Sequence, residues 1–297
     1  MKRLKNLAAI GLASALTLTT AAALAGCANK NNEPDKEEVE ITQPEQPMPE
    51  QPEQPEIPEV VPPIQPEQPE PEIPVEPEPE EPIPTVNTAS YIMLTADSVN
   101  IRSGAGTGYA VKGAAEKSTM YALGGTSGSW YQTSYKNATA YLSTKYCEVV
   151  EMEASENELI EAVIAEGTKL LGTPYVYGAA RYHNGNGALA SNFSINAFDC
   201  SSLMQYIFYK GAGVNLQVTS RTQSLQGETV SKANLQRGDL MFFTNASRYN
   251  YSGIERIGHV ALYLGDNWIL HTASDYAKIE QISSTRWSYF IKAQRMI

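Results

Sequence analysis

Seventeen of the 18 prolines lie between Pro34 and Pro84, and the other is Pro174. A segment so dense in proline lacks backbone donors and is excluded from helix interiors and central strands, so no packed domain can be built there. Residues 33–84 also hold 17 of the 33 acidic residues, with Lys36 as the one basic residue among them. Low hydrophobicity and self-repulsion make 27–85 a disordered, solvated linker. In polyproline II form it reaches on the order of 150 Å at ~3.1 Å per residue. The constant interruption by Glu, as in Glu45-Gln46-Pro47 and Glu67-Gln68-Pro69, suits a spacer better than a proline-rich ligand for an aromatic groove.

With the linker set aside, residues 86–297 carry 16 acidic against 17 basic side chains. The folded part is therefore nearly neutral, the acidic balance behind the formal charge of −11 comes from the linker, and nothing in the folded part argues for nucleic acid as a partner. One apolar run is long enough to consider as a membrane segment, Leu7 to Ala23, behind Lys2, Arg3 and Lys5. Interrupted by Ser and Thr and short of the ~20 apolar residues of a span, it reads as an export signal. The Leu24-Ala25-Gly26-Cys27 sequence directly after it resembles the lipobox of bacterial lipoproteins. That resemblance implies a signal peptide over 1–26, acylation of Cys27, and an extracytoplasmic protein of the cell envelope tethered to the membrane through a lipid anchor. Three cysteines make no disulfide framework, and Cys147 reads as a small buried hydrophobe.

From Tyr91 to Val150 the pattern turns to short β-branched and aromatic runs separated by Gly, Ser and Asn, a small all-β unit. Val99-Asn100-Ile101-Arg102-Ser103-Gly104, Gly128-Ser129-Trp130-Tyr131 and Ala140-Tyr141-Leu142 resemble a bacterial SH3-type domain, placed at 86–150. Such barrels bind cell-wall polymer or pack beside a catalytic domain.

A different pattern fills 154–297. Ser155 with Glu158 offers a capping box to a helix with an Ile160, Val163, Ile164, Leu170, Leu171 face and a stop at Gly172. A second apolar helix runs from Cys200 to Tyr209 and ends at Gly211. Strands come next at Leu240–Phe243, Val260–Leu264 and Trp268–Leu270. Helices ahead of strands predict an α+β fold.

Cys200 falls on the first turn of its helix, where free N–H groups and the helix dipole favour the thiolate and lower its pKa from ~8.5. His259 and His271 flank a hairpin at Gly265-Asp266-Asn267. A three-residue turn pairs Leu264 with Trp268, sets Ala261 opposite His271, and makes the two imidazoles diagonal neighbours on one face. An even-numbered turn puts them on opposite faces. A nucleophile on a helix, a base on a strand and a third group that orients the base fit the logic of acyl transfer. Two other readings stay open: Cys200 as a structural cysteine, and Cys200, His259 and His271 as zinc ligands with His183 as the fourth.

Several motifs in order are similar to the NlpC family of papain-like cell-wall cysteine peptidases: Gly172-Thr173-Pro174-Tyr175-Val176-Tyr177-Gly178, Phe198-Asp199-Cys200-Ser201, Arg237-Gly238-Asp239-Leu240-Met241-Phe242-Phe243, Gly258-His259-Val260-Ala261-Leu262-Tyr263-Leu264-Gly265 and Ile269-Leu270-His271. The resemblance implies a papain-like domain of helices on an antiparallel sheet at 154–297, with Cys200 as nucleophile, His259 as base and His271 fixing the imidazole. Tyr175 joins the backbone N–H of Cys200 at the oxyanion, and Asp199, Ser201, Arg221 and Thr222 touch substrate. It implies no metal and no cofactor, a monomer, and hydrolysis of peptidoglycan stem peptides between γ-D-glutamate and the next residue, a diamino acid. An amidase cutting stem from sugar, or a tethered wall-binding protein without activity, are the alternatives.

The chain departs from the pattern in four places. Ser202 stands where glycine is usual, and extra residues occupy Arg181 to Asn196 and Thr244 to Ile257. Thr222 and Gln223 come after Arg221 where some relatives carry an acidic residue that selects a free N-terminal alanine.

Overall fold

Short runs make the strands here, alternating in burial at Val99–Arg102 and Tyr276–Gln281 and buried throughout at Leu240–Phe243, while a few longer apolar stripes make the helices. The computed structural model describes residues 87–297, which fall within one compact unit, Pro77–Ile297. The expected signal peptide, Cys27 and the linker lie outside the described residues. Eight strands come first: β1 (Thr88–Leu94), β2 (Val99–Arg102), β3 (Val111–Ala115), β4 (Thr119–Ala122), β5 (Gly125–Ser127), β6 (Trp130–Tyr135), β7 (Ala138–Ser143) and β8 (Cys147–Glu153). After them the chain forms α1 (Glu158–Lys169), α2 (Cys200–Ala212), α3 (Ser220–Gln223), β9 (Glu228–Val230), β10 (Leu240–Phe243), β11 (His259–Gly265), β12 (Trp268–Ala273), β13 (Tyr276–Gln281), α4 (Ser284–Ser288) and β14 (Phe290–Arg295). The fold is mixed, helices on antiparallel sheet, as the element order predicts. Among the described residues no helix is long and apolar enough to cross a membrane.

Five strands form one sheet in the order β3-β2-β7-β6-β5. Nine form the other, in the order β8-β1-β4-β13-β12-β11-β10-β14-β9. The larger sheet joins the all-β unit to the helix-containing part of the chain, because β4 pairs with β13 through Met120↔Ile279 and Thr119↔Glu280.

Two cores lie on its two faces. Val260, Leu262, Leu264, Leu270 and Ile279 pack with Val163 and Ile164 of α1 and Leu203 and Ile207 of α2. The alternate residues Met241, Phe243, Ala261 and Ile269 join a smaller cluster with Trp287 and Phe290.

Two details differ from the sequence reading. Asn157, not Ser155, caps α1, its side chain accepting from the Leu159 amide at 3.1 Å, while Ser155 N–H donates to Glu161. The α2 helix continues past Gly211 and ends at Gly213 in the left-handed region. Gly211 is instead the point of closest approach between helices, since a Cβ there would overlap the backbone of Val163. Gly172 does stop the chain after α1, at φ +81°, and a side chain there would overlap the Tyr135 ring from the all-β unit.

Arg237 ties the layers together. Its guanidinium donates to Glu161 Oε1 at 2.6 Å and Oε2 at 2.9 Å, to the Tyr91 hydroxyl at 2.8 Å and to the Leu264 carbonyl at 2.8 Å. One side chain thus joins α1, β1 and β11.

Candidate functional site

Cys200 opens α2 directly behind its cap. The Asp199 carboxylate accepts from Ser202 N at 2.8 Å, and Ser202 Oγ accepts from Asp199 N at 2.9 Å, a reciprocal capping box. The serine at the usual glycine position is therefore buried and spent on the helix start. Arg181 Nη1 reaches Asp199 Oδ2 at 2.9 Å and its Nη2 reaches Ser201 Oγ at 3.2 Å.

Residue Cys200 is only 9% exposed, and its burial corrects the expectation of a lowered pKa. Burial, with the Asp199 carboxylate beside it, pushes the thiol up to about 11 against the pull of the Val260 and Ser201 backbone N–H groups and Arg181. The helix start does offer N–H groups to the sulfur, but loss of water outweighs them and the resting thiol is neutral.

His259 and His271 do meet, by a different turn from the one expected. Asp266 and Asn267, both at positive φ, make a two-residue turn that pairs Gly265 with Trp268. Taken alone, that even turn separates the imidazoles. A bulge between Tyr263 and Gly265 absorbs one residue and restores Leu262↔Leu270 and Tyr263↔Ile269, the register that puts both rings on one face. His259 Nε2 lies 3.0 Å from His271 Nδ1, and His271 Nε2 lies 2.9 Å from Glu280 Oε1.

Both rings are buried, and burial lowers both pKa values. His259 is held well below the ordinary imidazole value by burial and then by His271 and Arg286, and His271 is lowered less because Glu280 opposes the shift. For Glu280, burial pushes upward, but the hydrogen bond from His271 and the charges of His271, Arg286 and Lys278 win and hold it at about 2.

Two cavities meet at the thiol. One of about 330 Å³ is lined by Tyr175, Cys200, Phe243, His259, Arg286 and Tyr289 among others. The second, of about 390 Å³, is lined by Tyr175, Cys200, Arg181, Asp199, Arg221 and Arg248 among others, with Ser201 at its wall. Tyr175 and Asn245 border both, so a cleft runs past the sulfur. Thr222 is not on either lining: its hydroxyl donates to Thr219 O at 3.0 Å and closes the cap of α3, which carries Arg221.

The two extra segments shape the second cavity. Tyr182 packs edge-on against Phe193, Tyr206 and Tyr209, which folds 181–196 back onto α2, and Arg181 Nε donates to Val218 O at 2.6 Å. In the other segment, Asn245 accepts from Arg248 N and Glu255 reaches both Arg248, at 3.1 Å, and Arg221, at 3.5 Å. His183 is fully buried beside Tyr182 and Tyr209 and accepts from Gly185 N through Nδ1. Among the described residues, no group of three or more His, Cys, Asp or Glu is placed to hold a metal ion.

Sequence reasoning missed Glu280, Arg286 and Arg181. For Glu280 a signal existed: β13 alternates, Lys278 pairs with His271, and Glu280 stands diagonal to it on the same face. Arg286 and Arg181 reach the site from a short helix and a loop, where no periodicity points.

Residues 172–296 match the NlpC/P60 family. Among curated relatives, the chain is 28% identical over 156 residues to the gamma-DL-glutamyl hydrolase of Bacillus subtilis, covering 52% of this chain and 33% of that protein. It is 30% identical over 138 residues to the peptidoglycan DL-endopeptidase CwlO of Bacillus licheniformis, covering 45% and 27%. It is 32% identical over 120 residues to the gamma-D-glutamyl-L-lysine dipeptidyl-peptidase of Bacillus cereus, covering 40% and 30%. The chain thus spans about a third or less of the length of these relatives. A solved structure from Staphylococcus aureus, described as similar to lipoprotein of the NLP/P60 family, is 30% identical with a TM-score of 0.38, covering 48% of this chain and 43% of that one. The family match spans Cys200, His259 and His271, so the part of the chain that builds the site carries an NlpC/P60 family domain.

Proposed function

We propose that the chain is a cysteine endopeptidase of the cell envelope that hydrolyses peptidoglycan stem peptides at the γ-D-glutamyl–diamino acid bond. The observation that carries this reading is that His259, 3.0 Å from His271, lines the same cavity as Cys200 at its helix start. The names of the relatives, a γ-glutamyl hydrolase, a peptidoglycan endopeptidase and a γ-glutamyl dipeptidyl-peptidase, support the substrate class.

The resting pair is a neutral thiol and a neutral imidazole. As the Cys200 sulfur bonds to the substrate carbonyl carbon, its proton passes to His259. The carbonyl oxygen becomes an oxyanion, met by the Cys200 backbone N–H and the Tyr175 hydroxyl, and each such donor is worth ~2.7–4 kcal/mol. Collapse breaks the C–N bond, and His259 gives its proton to the leaving amine. Water then attacks the thioester, His259 taking its proton, and the acid product leaves with the thiol restored.

Arg221, Asp199 and Ser201 hold the substrate chain in the second cavity, and Thr222 acts through the cap that places Arg221. The SH3-type unit of 86–150 contacts the wall, while acylated Cys27 and the linker set the enzyme's reach from the membrane.

The test is digestion of purified peptidoglycan by the full chain, with Cys200→Ala in parallel and products identified by mass spectrometry. Cys200-dependent fragments ending in γ-D-glutamate are expected. Release of whole stem peptides would make it an amidase, and wall binding without cleavage would make it a tethered binding protein.

A further inference from the structure

A pair of imidazoles in contact can carry its protons in two ways, and only one of them serves a thiol. Between His259 Nε2 and His271 Nδ1, 3.0 Å apart, one nitrogen donates and the other accepts. If His271 donates from Nδ1, His259 Nε2 must be the acceptor. The one proton of a neutral His259 ring then sits on Nδ1, and no lone pair is left to take the proton of Cys200. If His259 donates from Nε2, its Nδ1 carries the lone pair. Nothing within the pair selects between these states.

The selection comes from outside the pair. Glu280 Oε1 stands 2.9 Å from His271 Nε2, and an ionised carboxylate only accepts hydrogen bonds. His271 must therefore be protonated at Nε2, which leaves Nδ1 as the acceptor for His259 Nε2–H. We propose that Glu280 is a positioning residue of this site, which locks both histidines into the tautomers that leave His259 Nδ1 free as the base. The inference rests on the peptidase reading for its catalytic consequence, but not for the tautomers themselves.

Glu280 is itself held from two directions. Arg286 Nη2, from α4, reaches the same Oε1 at 3.1 Å, and its guanidinium lies 5.9 Å from the centre of the Phe243 ring. On the other side, the Glu280 backbone pairs with Thr119 of β4. The strand that β4 lends to the sheet therefore fixes the backbone that carries the carboxylate.

The chain has three histidines, so their ring nitrogens are separable by long-range proton–nitrogen correlation in full-length protein labelled at histidine. In the unsubstituted protein, His271 is expected as the Nε2–H form and His259 likewise. In Glu280→Ala, part of His271 should move its proton to Nδ1, with kcat lower on the order of a hundredfold and KM little changed. Iodoacetamide should also alkylate Cys200 more slowly at neutral pH. Glu280→Gln, whose amide oxygen still accepts the Nε2–H, should restore the tautomer in part.

His271 protonated at Nδ1 in the unsubstituted protein would overturn the proposal, whether or not Glu280→Ala folds. So would an unchanged His271 tautomer in folded Glu280→Ala. A protein with the expected tautomers that cuts no peptidoglycan would instead count against the peptidase reading alone.

Discussion

At the scale of single residues, burial governs the chemistry more than charge does. The thiol of Cys200 and the imidazole of His259 are both moved toward their neutral forms by loss of water. The proposed reaction needs His259 unprotonated. Because its folded pKa lies well below the ordinary imidazole value, kcat/KM should stay flat through neutral pH. It should fall only as pH drops through that lowered value, well below ~6.5. A pH–rate profile checks this, and an acid limb centred near ~6.5 or above would contradict it. Cys200→Ser keeps the volume of the side chain but offers a far weaker nucleophile, so turnover should fall at least about a thousandfold while the fold survives. Circular dichroism and product analysis on the same sample read both. These candidate residues were legible because chemistry-bearing residue types are few: three cysteines and three histidines leave little choice. The state of the thiol was not legible, because a helix start can be named from sequence but the desolvation around it depends on everything packed against it.

Among elements, the hairpin of β11 and β12 shows how local rules and final register can part. The continuous apolar runs Val260–Leu264 and Trp268–Leu270 showed the two strands, but Asp266-Asn267 makes a tight two-residue turn, and the bulge just after Tyr263 corrects the parity. Gly265, at φ +95°, sits at that bulge, but the sequence reading assigned it to the turn. The start of α2 at Cys200 was legible, and its end was not, because Gly211 reads as a stop while its real use is to let α1 approach. Gly211→Ala should push the two helices apart and cost ~1–3 kcal/mol, seen as a lower midpoint in urea with an unchanged slope. The Arg237-Gly238-Asp239 motif, similar to the family's central strand, turns out to be structural at both ends. Arg237 binds Glu161 and Tyr91, and Asp239 accepts from Arg295 at 2.8 and 2.9 Å.

For the described residues together, the Arg237 contacts and the β4–β13 pairing predict one cooperative unit. Arg237→Met leaves Glu161 without its partner next to the buried Tyr91. It should cost ~3 kcal/mol or more and lower a single melting transition, without producing two. Calorimetry distinguishes these outcomes. The α+β class came from element order, whereas the shared sheet did not, since pairing between strands some 160 positions apart leaves no trace in either segment alone. That pairing has a practical consequence. A fragment beginning at residue 154 would keep Cys200, His259, His271 and Glu280 but strip β4 from β13, exposing a row of open N–H and C=O groups on the strand that carries Glu280. Such an edge recruits other chains, so the fragment should sediment as aggregates where 87–297 stays a single species. The smallest piece that can be transplanted intact is therefore longer than the piece that holds the candidate site.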